Sequence, residues 1–232
     1  VTLLDTPGHM DFSAEMERTL QILDYAVLVI SGPAGMQGQV KTIWKLLERY
    51  SVPVFIFVNK MDLDGADLGQ IMETLRKELD ESCVSFDEEG ADFCERLALC
   101  DEKLLEDYLL AGTLDREAIS LRIAERKVFP VFSGSALKLE GVDRFLRGID
   151  KYARTQTYPD AFSGRIFKIS RDEKGSRLTH LKVTGGNLRV RELIGEEKIS
   201  QIRIYSGSRF KTADEVSAGT VCAVTGLSST FC

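Results

Sequence analysis

The chain has 232 residues, 44% of them hydrophobic and 28% charged, with five prolines; at ~150 residues per domain this is one large domain or two modest ones with a real core, and neither a disordered nor a collagen-like polymer. Its longest apolar runs, such as VPVFIFV at 52–58, fall well short of the ~20 residues of a membrane-spanning helix, so no membrane partner is expected and a cytoplasmic protein is. The net charge of −6 conceals an asymmetry: residues 1–150 hold 16 Lys and Arg against 28 Asp and Glu, whereas residues 151–232 hold 14 against 8. The acidic part argues against a nucleic-acid surface there, and the basic part is compatible with contacts to phosphate backbones.

Short apolar runs at Val1–Leu4, Ala26–Ile30, Val54–Val58 and Val128–Phe132 predict buried strands. Between them, helical spacing joins Phe12, Met16, Leu20 and Leu23; then Val40, Ile43, Trp44 and Leu47; then Leu68, Ile71, Met72, Leu75 and Leu79; and last Val142, Phe145, Leu146 and Ile149. Strand–helix–strand alternation implies a parallel sheet covered by helices. Residues 83–127 interrupt that rhythm with an acidic, helix-prone stretch that reads as an insertion packed on the domain's side. After Tyr158-Pro159 the period changes to two, in GRIFKIS, RLTHLKVT, NLRVREL and KISQIRIYS, which predicts a small antiparallel β-barrel. The five cysteines, at 83, 94, 100, 222 and 232, form no CxxC pair and have no histidines nearby, so reduced thiols are expected and neither a zinc site nor a disulfide framework.

Three short motifs carry chemistry. DTPGH at 5–9 follows the first predicted strand: a carboxylate at a strand's carboxyl end, then a glycine whose N–H can approach an anion, is how parallel α/β folds hold a metal-bound phosphate. NKMD at 59–62 follows another buried strand, where an aspartate can accept both N–H groups of a guanine edge, an arrangement adenine cannot offer. SGSALK at 133–138 follows VFPVF, and its small residues let backbone amides reach a base carbonyl. In this order, each at a strand's end, the three are far more specific than any alone.

Carrying these motifs, the chain resembles a translational GTPase. DTPGHMDF matches the third guanine-nucleotide motif of that class, NKMD the fourth and SAL at 135–137 the fifth. The resemblance implies an α/β P-loop-type GTPase domain, N-terminally truncated, followed by the β-barrel second domain of translation factors, with boundaries at 1–157 and 158–232. It also implies GTP or GDP with Mg2+. Asp5, Thr6, Pro7 and Gly8 would meet the phosphates, Asp5 reaching the magnesium through water and Gly8 sensing the γ-phosphate. His9 would position the attacking water. Asn59 and Asp62 would read guanine, Lys60 would lie along the ring, and Ser135, Ala136 and Leu137 would complete the base pocket. Such enzymes work by positioning and charge stabilisation.

Within the class, the tract from Val1 to Gln39, the NKMDLDGADL stretch and the short acidic helical insertion look most like the tetracycline-resistance ribosomal protection proteins. Elongation factor G shares the motifs and is the alternative; its insertion is usually bulkier. The resemblance implies the ribosome, its RNA and proteins, as partner, no DNA, and a monomeric parent. No GxxxxGK followed by Ser or Thr occurs in the 232 residues, so the phosphate loop and first switch are missing from this sequence and the chain reads as an internal piece of a longer protein, itself inactive. A reading of another class is a non-catalytic ribosome-binding remnant acting through its basic β domain. Arg165, Lys168, Arg171, Lys174, Arg177 and Lys182 could face ribosomal RNA or be ordinary solvated strand faces. Trp44 reads as core, His180 as structural, and Gly35 and Gly38 as a loop after the second strand.

Overall fold

Runs of Val, Ile and Phe become strands in the middle of the chain because their side chains fill both faces of a pleated ribbon; Val54, Phe55, Ile56 and Val58 are fully inaccessible to solvent. The computed structural model describes residues 1–6, 13–88 and 90–231. Two units emerge: Leu23–Thr155, and Val1–Ile22 together with Gln156–Cys232. The first element, α1 (Ser13–Leu20), belongs to the latter.

The unit Leu23–Thr155 runs β1 (Ala26–Ser31), α2 (Gly38–Arg49), β2 (Val54–Asn59), α3 (Leu68–Glu78), β3 (Cys83–Ser85), α4 (Ala91–Ala98), α5 (Glu102–Ala111), α6 (Arg116–Ala124), β4 (Phe129–Ser133) and α7 (Val142–Tyr152). Its four strands pair in parallel in the order β1-β2-β4-β3, flanked by the helices. Asp67, Asp101 and Asp115 start α3, α5 and α6 by accepting backbone N–H groups in the first turn. Asp101 is also paired with Arg122 at 2.9 Å, which ties α5 to α6. The core joins Phe55 and Phe57 of β2 and Phe132 of β4 to Phe93, Leu97, Leu104, Ile119 and Ile123 of α4–α6.

Two sequence expectations change here. Val1–Leu4 forms no strand: residues 1–6 are irregular, with Val1 and Leu3 fully or largely exposed. Three apolar residues order as a strand only beside a hydrogen-bonding neighbour, and they take part in none of the sheets. Residues 83–127 are also more than a side insertion, since Cys83–Ser85 is a strand of the parallel sheet, in register with Phe129–Val131.

The other unit carries β5 (Ser163–Arg171), β6 (Arg177–Gly185), β7 (Asn187–Arg189), β8 (Leu193–Ile194), β9 (Glu197–Lys198), β10 (Gln201–Ser206), β11 (Arg209–Ala213), β12 (Glu215–Ser217) and β13 (Val221–Thr225). An antiparallel sheet of order β11-β10-β13-β6-β5 and the ribbons β12-β7 and β8-β9 enclose one core of Leu181, Val183, Leu188, Ile202, Val216, Cys222 and Val224. NLRVREL and KISQIRIYS each break into two strands: Arg191 takes φ +71°, its N–H donates to Ile199 O, and Ile199 N–H donates to Glu192 O, closing a bend where a straight strand was expected. Several of the basic side chains serve the fold. Arg165 and Lys182 donate to the carbonyls of Gln21 (2.9 Å) and Ile22 (3.0 Å), capping the chain just after α1. Arg177 donates to the Thr230 carbonyl. Lys182 is buried, so neither reading of an open basic surface holds for it.

Candidate functional site

Three loops leave the carboxyl ends of β1, β2 and β4, the edge at which parallel α/β sheets bind ligands. Backbone bonds stitch them together. Gly32 N–H donates to Asn59 O (2.8 Å), Gly134 N–H to Val58 O (3.0 Å), and Met61 N–H to Gly134 O (3.0 Å). Ser135 and Glu140 exchange both backbone bonds, at 2.9 and 3.0 Å, so residues 136–139 form a tight tip. Gly134 and Gly141 permit this. A Cβ on Gly134 would stand 2.1 Å from Glu140 O, and one on Gly141, at φ +75°, would stand 2.2 Å from Ser133 O.

Of the residues expected on the base side, Asn59 is brought to Ala136 and Asp62 to Ser135, while Lys60 and Leu137 are exposed. Asn59 Oδ1 accepts from the backbone N–H of Lys60 and of Ala136, each at 2.8 Å. The Ala136 amide is therefore committed to Asn59, and Ala136 serves the pocket by bracing that side chain. Lys60 holds φ +65°, a left-handed conformation costing ~1–2 kcal/mol, and it is exposed. The Asp62 carboxyl is held below the usual carboxylate range, first by the Ser135 hydroxyl, against partial desolvation, and further by Lys138. Lys138 Nζ lies 3.3 Å from Asp62 Oδ2, with the Asp62 side chain 11% exposed. Ser135 is buried, with its N–H, carbonyl and hydroxyl all engaged, the hydroxyl also accepting from Lys138 N–H at 3.4 Å. The two oxygens of an ionised carboxylate such as Asp62 suit a flat ligand edge that carries two N–H donors.

Asp5 and Thr6 lie on the irregular segment of the other unit; Pro7, Gly8 and His9 are outside the described residues. Among the described residues no group of three or more His, Cys, Asp or Glu could hold a metal ion. Trp44 is core, edge-on to Phe129 at 4.7 Å. His180 is bonded to Ser170 Oγ at 2.8 Å, and burial pushes its pKa down. Burial also raises the thiols of Cys83 and Cys222 to about 12 and of Cys100 to about 11, and the four described cysteines are free.

Sequence reasoning passed over Lys138, although it closes the quoted SGSALK, and over Gly134 and Gly141, whose need shows only once two backbones touch. Asp87 and Arg144, which reach Ser133, carry no signal in the linear sequence.

The family described as Elongation factor Tu GTP binding domain matches residues 1–155, and Elongation factor G domain 2 matches residues 161–232. The chain belongs to the translational GTPases. The chain is 32% identical over 261 residues to the tetracycline resistance protein TetP of Clostridium perfringens, covering 99% of the chain and 40% of TetP. It is 28% identical over 306 residues to elongation factor G of Ureaplasma urealyticum serovar 10, covering 99% of the chain and 44% of that factor. A crystal structure from Thermus thermophilus shares its fold with a TM-score of 0.80 at 22% identity, over 96% of the chain and 42% of the other. The GTPase thus spans less than half the length of these relatives.

Proposed function

We propose that these residues read guanine for a ribosome-dependent GTPase of the ribosomal protection type, whose whole form works in the cytoplasm, binds the ribosome with GTP and releases tetracycline from it. The observation that carries the nucleotide reading is the fixed pair Asn59 and Asp62, braced by Ala136 and Ser135. The two oxygens of Asp62 accept the N1–H and 2-amino group of guanine, Lys60 lies along the ring, and Leu137 closes the tip. Asp5 would hold a magnesium ion through water, and that ion would supply charge neutralisation at the phosphates. His9 positions the attacking water, so hydrolysis rests on placement rather than on basicity. The domain division at 157/158 belongs to the same reading, supported by the separate family matches on either side of it. Lys168, Arg171 and Lys174 on the β unit are exposed and suit ribosomal RNA phosphates.

The resistance reading draws on TetP; the second reading, a translocase like elongation factor G, draws on the Ureaplasma factor. The deciding experiment uses the full-length gene product. Ribosome-stimulated GTP hydrolysis with release of labelled tetracycline from ribosomes supports the first reading; hydrolysis with transfer RNA movement and no release supports the second. The 232 residues alone, which contain no phosphate-loop lysine, turn over GTP slowly on this reading, and family-like turnover by them would refute that part.

A further inference from the structure

Outside every sequence motif, one carboxylate grips the base-side loop. Asp87, between β3 and α4, accepts the Ser133 backbone N–H at Oδ1 (3.1 Å) and the Ser133 hydroxyl at Oδ2 (2.5 Å). Arg144, in the first turn of α7, pairs with Asp87 Oδ1 at 2.8 Å and donates to the Ser133 carbonyl at 3.1 Å. The two side chains thus hold both backbone polar groups of one residue and its hydroxyl. Asp87 is 12% exposed, so its bonds to Ser133 are sheltered from competing water, while Arg144 covers them from a side chain that is 45% exposed.

Ser133 is the last residue of β4, directly before Gly134, whose N–H and carbonyl are bonded to Val58 and Met61 on either side of Asn59. Two residues on, Ser135 sets Asp62. Any twist at Ser133 is therefore passed to both groups that meet the base. The packing of β4 on α7 has a separate source in the rings of Phe132 and Phe145, 5.4 Å apart. A shielded ion pair is weak evidence for stability as such, since apolar side chains of the same volume do as well; what apolar groups cannot do is fix the direction of a peptide.

We propose that Asp87, with Arg144, is a positioning residue for the guanine site, setting the Gly134–Ser135 peptides so that Asp62 and Asn59 stand ready for the base. The inference rests on the guanine reading above. Its test uses the full-length gene product, with competition of GDP and IDP against a fluorescent GDP, ribosome-stimulated kcat at saturating GTP, and thermal unfolding.

Wild type preferring GDP to IDP supports the guanine reading; no preference in wild type sinks that reading before any variant is made. Given the preference, Asp87→Ala is expected to weaken GDP about 10-fold with kcat at saturation within about twofold. Asp87→Asn, which keeps an acceptor for the Ser133 N–H, recovers most of that loss. Ser133→Ala, which removes only the hydroxyl bond, weakens GDP about threefold with little change in melting temperature. Unchanged GDP affinity in Asp87→Ala, a loss confined to kcat, or a lowered melting temperature with normal affinity in the folded protein would each overturn the proposal. Should Asp87→Ala not fold, Asp87→Asn and Ser133→Ala decide, and wild-type affinity in Ser133→Ala overturns it.

Discussion

Asp62 has its charge and orientation set before any base arrives, by the Ser135 hydroxyl and by Lys138. Two charge-assisted hydrogen bonds at ~1.5–3 kcal/mol each make Asp62→Ala cost ~100-fold or more in GDP affinity, to be read in a fluorescent GDP titration. Lys138→Met costs far less, because that cation is 53% exposed and such pairs contribute little. Gly141→Ala combines a left-handed φ with a collision against Ser133 O and is expected to cost ~2–4 kcal/mol of stability by thermal denaturation. At the far end of the chain, Glu197 accepts from the hydroxyls and backbone N–H groups of Ser228 and Ser229, which pull its pKa to about 2. A carboxylate more acidic in the fold than when unfolded contributes stability above its ordinary range and loses it as pH falls from there toward the folded value. The protection of the Ser228 and Ser229 amides, taken as exchange relative to the unfolded chain at the same pH, should therefore fall between about pH 4.5 and about pH 2, and Glu197→Gln should remove that dependence.

Elements were legible where their period was long and their faces one-sided. The spacings of Trp44 and Leu47, of Ile71 and Leu75, and of Phe145 and Ile149 mark α2, α3 and α7 because each helix buries a single stripe. Cys83–Ser85 escaped notice since three residues show no period, and its identity as a strand comes from pairing with β4. Val1–Leu4 failed in the opposite sense, an apolar run without a pairing neighbour. β1 shows the same dependence. Among the described residues β2 is its sole strand partner, and its outward Val27 and Val29 are 41% and 57% exposed. An open edge with an apolar face invites pairing between chains, so the 232-residue chain should self-associate, and Val29→Lys should shift light scattering toward monomer. A monodisperse wild-type chain would contradict this. For α1, the capping cations imply that Lys182→Met exposes the segment ending at Ile22 to protease more rapidly than wild type, measured by limited digestion.

Across the whole molecule, two units carry separate cores, and the family matches divide the chain differently, at 1–155 and 161–232, so that residues 1–22 fall in the first match but in the unit that holds 156–232. NKMD and SGSALK were legible because each is a short run of neighbouring residues with a recognisable pattern, whereas Asp87 and Arg144 lie 46 and 11 positions from Ser133 and meet it only through the fold. The basic residues of the β unit were legible as charge but not as surface, since Lys182 and Arg177 turn inward to backbone carbonyls. The central claim is that the crevice at the ends of β2 and β4 selects guanine. Competition of GDP, IDP and ADP for the full-length gene product tests it most directly. GDP is expected to bind tightest, IDP more weakly for want of the 2-amino group and ADP weakest, with the order erased by Asp62→Ala; equal affinities in wild type, or a preference that survives Asp62→Ala, would refute guanine selection here.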